Sequence, residues 1–173
     1  LEYLHQELGF TTIAMESSMY DIWKMNKNGF NPKGFNNAIW GVWSSTLEFQ
    51  RVVNYIEKNN LKVIGFDSQV NNASQFVEDF YDYLDSQNIT LKLDEDDLGI
   101  IIEGVLENVT IEEDDIKYKV YEKEINRIIK QIENLDSNEI NHYWKQFTKS
   151  LLASSQDAYY NKKEILTTDF GNE

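Results

Sequence analysis

The sequence predicts a mixed α/β fold, in which part of an open parallel sheet with flanking helices is followed by a helical-hairpin subdomain. Three observations carry that expectation. Two short runs rich in β-branched, aromatic and apolar residues, at 10–15 and 61–66, each lead directly into an acid, Glu16 and Asp67. Helical periodicity without a hairpin turn separates the runs, so a βαβ crossover with parallel strands is the economical connection. Beyond residue 90 no strand pattern recurs, while apolar residues alternate at spacings of three and four. Residues 1–90 are therefore expected to form a partial α/β core and residues 91–173 a helical subdomain.

Leu1, Leu4 and Leu8 lie at helical spacing, and Gly9 stands where a left-handed residue would end that helix. Phe10-Thr11-Thr12-Ile13-Ala14-Met15 is the first strand. Ser17 and Ser18 can cap the amphipathic helix expected from Met19 to Asn26. Asn28-Gly29-Phe30-Asn31-Pro32-Lys33-Gly34, with the only proline, reads as an irregular loop. A helical piece near Phe35 to Trp43 follows. The next helix is expected to open on the capping box Ser45-Thr46-Leu47-Glu48, to face Phe49, Val52, Val53 and Ile56 inward, and to stop at Asn59-Asn60. Leu61-Lys62-Val63-Ile64-Gly65-Phe66 is the second strand, and Asn72 is the expected cap of a helix bearing Phe76, Val77, Phe80 and Leu84 on one face. From Thr110, the seam Tyr118, Tyr121, Ile125, Ile128, Ile132 and Leu135 has coiled-coil-like spacing. Asp136-Ser137-Asn138 breaks it, and Ile140, Trp144, Phe147 and Leu151 make a second stripe, so an antiparallel helical hairpin is expected.

The chain of 173 residues is 41% hydrophobic and 27% charged, enough apolar material for a buried core. Its 30 acids against 16 bases leave a formal charge of −14, which repels phosphate backbones and anionic membrane faces, so nucleic acid is not an expected partner. No apolar run approaches the roughly 20 residues of a membrane-spanning helix, so no membrane partner is expected either, and a cytoplasmic location is. The absence of cysteine removes disulfides, thiolate nucleophiles and zinc–thiolate sites together.

Glu16 and Asp67 are the leading candidates for chemistry. Ligands of open α/β sheets bind in the crevice outside the carboxyl ends of the strands, and an acid at each of two such ends can orient a base or hold a polar substrate. Their bland alternative is a capping acid and a loop acid. Trp43, and less so Trp23 and Trp40, could line such a crevice, although indoles between helix and sheet usually just pack. Met15-Glu16-Ser17-Ser18-Met19 lacks the flanking glycines of a nucleophile elbow, so helix capping explains the serines better. His5 and His142 both lie off their helices' apolar stripes and are expected to be solvated. Asp94-Glu95-Asp96-Asp97-Leu98-Gly99 fails as a calcium loop because Leu98 and Val105 occupy ligand positions, and it reads as a solvated turn; Glu112-Glu113-Asp114-Asp115 reads as an acidic helix start.

The segment Leu8-Gly9-Phe10-Thr11-Thr12-Ile13-Ala14-Met15-Glu16 resembles the erythromycin esterase family, in which a Leu-Gly-Phe turn leads into a strand ending in Glu. The resemblance continues through Trp43, Asn54-Tyr55-Ile56 and Ile64-Gly65-Phe66-Asp67, and covers residues 1–70. It implies an α/β core with a helical subdomain over a cleft, and cofactor-free, metal-independent hydrolysis of a small-molecule ester such as a macrolide lactone by histidine-activated water. It further implies that Glu16 and Asp67 line that cleft, Glu16 supporting the base and Asp67 and Trp43 meeting substrate. The family's Gly-Glu-x-x-His motif has no counterpart here, and neither His5 nor His142 matches it. The chain is accordingly expected to be an internal stretch of a longer hydrolase, inactive alone, with an exposed sheet edge. Two rival readings are a non-catalytic module that binds a protein through an exposed Tyr118–Leu135 seam, and a family member with another small-molecule substrate.

Overall fold

The structure, a computed structural model, describes the backbone of residues 1–39, 41–68, 74–106 and 115–169, and among these not the side chains of 42, 103, 104, 106, 115–117 and 158–169. The chain divides into two compact units, Leu1–Ser74 and Gln75–Glu173.

The first unit runs α1 (Glu2–Gln6), β1 (Thr12–Ser18), α2 (Met19–Lys27), α3 (Pro32–Ala38), α4 (Gly41–Ser44), α5 (Leu47–Asn59) and β2 (Lys62–Asp67). The two strands pair in parallel, with Thr12 opposite Lys62 and Met15 opposite Gly65. Parallel neighbours need a long crossover, and α2 to α5 supply it. Alternation along the strands turns Ile13, Met15 and Val63 toward the helices, where Ile22, Met25, Phe35, Val53 and Ile56 complete the core. Each of those side chains fully removed from water contributes about 1.5–3 kcal/mol.

Three local expectations need correction here. Residues 28–34 are not all loop: α3 begins at Pro32, the Asn31 side chain accepts the Gly34 N–H at 2.6 Å, and proline at the first helical position loses no hydrogen bond. The helix expected near Phe35 to Trp43 is two short pieces, because Ile39 is extended. Thr46, not Ser45, caps α5 by accepting the Phe49 N–H at 3.3 Å, so the capping box is out of register. The far end of α5 does stop at Asn60, which is left-handed at φ 49°. There the Leu61 N–H reaches the Ile56 carbonyl at 3.1 Å and the Asn60 N–H reaches Glu57 at 3.2 Å, the two bonds of a Schellman closure.

The second unit contains α6 (Phe76–Ser86), α7 (Glu95–Leu106), α8 (Asp115–Glu133) and α9 (Glu139–Asp169), with no strand among its described residues. The boundary expected near residue 90 lies between Ser74 and Gln75, and α6 packs in the helical unit. The reason is aromatic: Phe76 and Phe80 lie 5.8 and 5.7 Å from Trp144, and Phe76 lies 4.6 Å from Phe147. Asn72 lies outside the described residues; α6 opens after Gln75 without a side-chain cap. The acidic run at 94–97 is not a turn but the start of α7, where Asp94 accepts the Asp96 N–H at 3.0 Å and three acids meet the positive end of the helix dipole. Of the later acidic run only Asp115, the first residue of α8, is described.

Tyr118, Tyr121, Ile125, Ile128 and Ile132 of α8 are buried, as are Trp144, Phe147 and Leu151 of α9. The short link at 134–138 folds α9 back along α8, with Asn138 accepting the Asn141 N–H at 2.8 Å. A covered seam removes the motive for the protein-docking reading. Ile140 departs from its stripe and is 44% exposed. Asn141 is buried in its place, donating to the Asp136 carbonyl at 2.9 Å and accepting from the Tyr83 hydroxyl at 3.0 Å. No helix among the described residues is long and apolar enough to cross a membrane.

Candidate functional site

At the carboxyl ends of the strands the pairing changes. Between the Met15–Gly65 and Ser18–Asp67 pairs, β1 carries Glu16 and Ser17 where β2 carries only Phe66, a bulge of one residue. The bulge presses backbone against backbone. A Cβ on Gly65 would lie 2.5 Å from the Ser18 carbonyl oxygen and 2.7 Å from that of Ser17, so only glycine admits the approach. Ser18 caps α2 by accepting the Asp21 N–H at 3.1 Å, and buried Ser17 donates to the Ala38 carbonyl at 2.6 Å. Both hydroxyls hold the frame, and the capping role expected of the pair falls to Ser18.

Glu16 and Asp67 therefore share one end of the sheet but not one face. Glu16 is exposed and keeps the parity of Thr12 and Ala14, on the side away from the helices, together with Ile64 and Phe66. Asp67 is half-buried, pairs in register with Ser18 and has the parity of Val63 and Gly65, on the helix side. It has an interaction partner of its own. Trp43, in α4, is 53% exposed and rests against Phe49 at 6.3 Å, the end of a chain of rings through Phe35 to Phe30. Trp23 is half-buried beside Tyr20 with the Lys27 ammonium 4.5 Å from its ring centre, and Trp40 lies outside the described residues.

His5 is not the solvated side chain expected. Its Nδ1 lies 3.0 Å from the Tyr55 hydroxyl, and the rings meet edge to face at 5.8 Å, docking α1 on the last turns of α5. This is the amino end of the sheet. Glu16 and Asp67 lie roughly 13 and 17 Å along their strands from that end, at about 3.3 Å per residue, out of reach of proton transfer. His142 is exposed, as expected. Among the described residues no three His, Asp or Glu side chains are grouped to hold a metal.

Among the described residues the helical unit has surface cavities to which the sequence did not point. One, of about 650 Å³, is lined by Asp85, Asp94, Glu95 and Asp96 among others. Another, of about 620 Å³, is lined by Lys92, Lys119, Lys123, Arg127 and Lys130 with Glu122 and Glu124. The signal for the second was the basic spacing along residues 119–130, which the stronger apolar seam of the same helix obscured. Compared with family models, curated proteins and solved structures, the chain matches none.

Proposed function

We propose that this chain supplies the acid-bearing strand ends of a metal-independent hydrolase that cleaves a small-molecule ester, a macrolide lactone being one candidate. The observation that carries the reading is the parallel β1–β2 pair with Glu16 and Asp67 at its shared carboxyl end, beside the start of α2. A ligand lying across the strand ends, rather than against one face, meets both acids. Parallel strands are ordinarily covered on both faces by helices, and the exposed side carrying Ile64 and Phe66 suits a pair that further helices cover.

In this mechanism a histidine base takes a proton from water as its oxygen attacks the ester carbonyl carbon, and the same proton passes to the departing alkoxide when the C–O bond breaks. Glu16 holds the imidazole in the required orientation, Asp67 accepts a substrate hydroxyl, and Trp43 offers apolar surface to the substrate body. The base is the Gly-Glu-x-x-His histidine of the family that the sequence resembles, so the activity belongs to a polypeptide that carries this motif. The test replaces Glu16 by Gln in that polypeptide. A fall in kcat of about 100-fold or more, with the melting temperature unchanged, is expected for a group acting in the transition state. Hydrolysis of aryl and lactone esters at the unaltered rate removes Glu16 from the site.

A further inference from the structure

The cavity beside α8 inverts the charge of its surroundings. Residues 91–173 carry 19 acids against 10 bases, yet this one recess gathers Lys92, Lys119, Lys123, Arg127 and Lys130 against Glu122 and Glu124. Both acids are already engaged. The Glu124 carboxylate, 4% exposed, accepts the Lys92 backbone N–H at 2.7 Å and two bonds from the Arg127 guanidinium at 2.6 and 2.8 Å. Glu122 accepts from the Gln156 side chain at 2.6 Å. Arg127 spends two further donors on the Thr90 carbonyl at 2.7 Å and on Gln131, so it and Glu124 form a fixed floor.

The ammonium groups at the rim are left available. Lys119, Lys123 and Lys130 fall within about 40° of one another around α8 and span roughly 16 Å along it, while Lys92 approaches from the chain before α7. The ion pairs among the described residues, Arg127–Glu124 and Lys149–Glu133, involve none of them. Leu93 and Val120 add apolar wall. A recess of this volume suits a ligand of nucleotide size, and lysines serve as point charges for phosphate.

We propose that this cavity binds a phosphorylated small molecule, its phosphates on the Lys119–Lys123–Lys130 rim with Lys92 and its apolar body on Leu93 and Val120. The site is independent of the acids at the sheet.

The experiment titrates the whole chain with pyrophosphate and with adenosine diphosphate by calorimetry, and maps the amides that shift in NMR spectra. Binding is expected at low salt, stronger for the diphosphate nucleotide, weakening as NaCl rises from about 50 to about 300 mM, with shifts confined to residues 92–93 and 119–130. K119Q/K123Q/K130Q is expected to weaken binding at least tenfold with an unchanged far-ultraviolet circular dichroism spectrum, whereas K145Q, on α9, leaves it as it was. Failure of both probes to bind at millimolar concentration overturns the proposal. So do shifts elsewhere on the chain, an unweakened triple variant, or equal binding of a glutamate oligomer, which would mean unspecific attraction for anions. Should the triple variant fail to fold, the amide map of the unaltered chain decides.

Discussion

A methyl group at position 65 would meet two backbone carbonyls at once, and neither can withdraw without opening the bulge that sets the carboxyl end of β1. Gly65→Ala is therefore expected to cost about 1–3 kcal/mol, the usual scale of overpacking, read as a lower urea midpoint. Nothing in Ile64-Gly65-Phe66 announces this, because the obstacle lies across the sheet on Ser17 and Ser18. Glu124 presents the opposite case, a carboxylate secured by charge. Burial pushes its carboxyl up, but the Arg127 guanidinium and the Lys92 N–H outweigh that and hold it below its ordinary 4.5. With the folded value depressed, the stabilisation is complete above the unfolded value and is lost as pH falls through the folded one. Glu124→Gln should thus cost about 2 kcal/mol at neutral pH, and the gap to the parent should narrow as pH drops below about 4.5, as urea midpoints measured across pH will show.

Asparagines end two helices where glycine is the commoner choice. Asn60 closes α5 and Asn88 closes α6, both left-handed, the latter with its own N–H on the Asp85 carbonyl at 3.0 Å and the following Ile89 N–H on Leu84 at 2.9 Å. Asparagine tolerates this region better than other side chains but less well than glycine. Asn60→Gly and Asn88→Gly are each expected to raise stability by roughly 0.5 kcal/mol, and the alanine variants to lower it by about 1 kcal/mol, measured by thermal unfolding. Elements of this kind were the most legible part of the sequence: the stop at Asn59-Asn60, the existence of the two strands and the helix at Met19 follow from local periodicity and capping, although β1 runs on through Glu16 to Ser18 and β2 includes Asp67, where the strands were expected to end before both acids. What misled were signals with two meanings. Pro32 marks a helix start as well as a loop, and Ser45-Thr46 offers adjacent caps with one hydroxyl apiece. The candidate site was legible only as a position along the chain. That Glu16 and Asp67 take opposite faces follows from alternation in the paired register, Glu16 keeping the side of Ala14 and Ile64 and Asp67 that of Val63, and neither strand shows that register by itself.

Each unit has a core of a different kind. The helical unit closes α6, α7, α8 and α9 around Phe76, Phe147, Ile125 and their neighbours. The other rests on two strands with one side bare, and a two-stranded sheet is marginal in water. Residues 75–173 expressed alone are therefore expected to give a helical circular dichroism spectrum with a cooperative thermal transition, and residues 1–74 alone to unfold without one. The sequence placed this division too late, since the strand-to-helix change of pattern near residue 90 says nothing of where the aromatic face of α6 is buried. The formal charge of −14 likewise hid a local reversal, because an average over 173 residues carries no geometry. The distribution of indoles has an optical consequence. Trp23, Trp40 and Trp43 all belong to the first unit, and the second holds Trp144 alone, 3% exposed and stacked on Tyr83 at 5.1 Å. Its fluorescence is thus a single-site lamp inside the helical core, blue while α6 and α9 stay together and red once water reaches it.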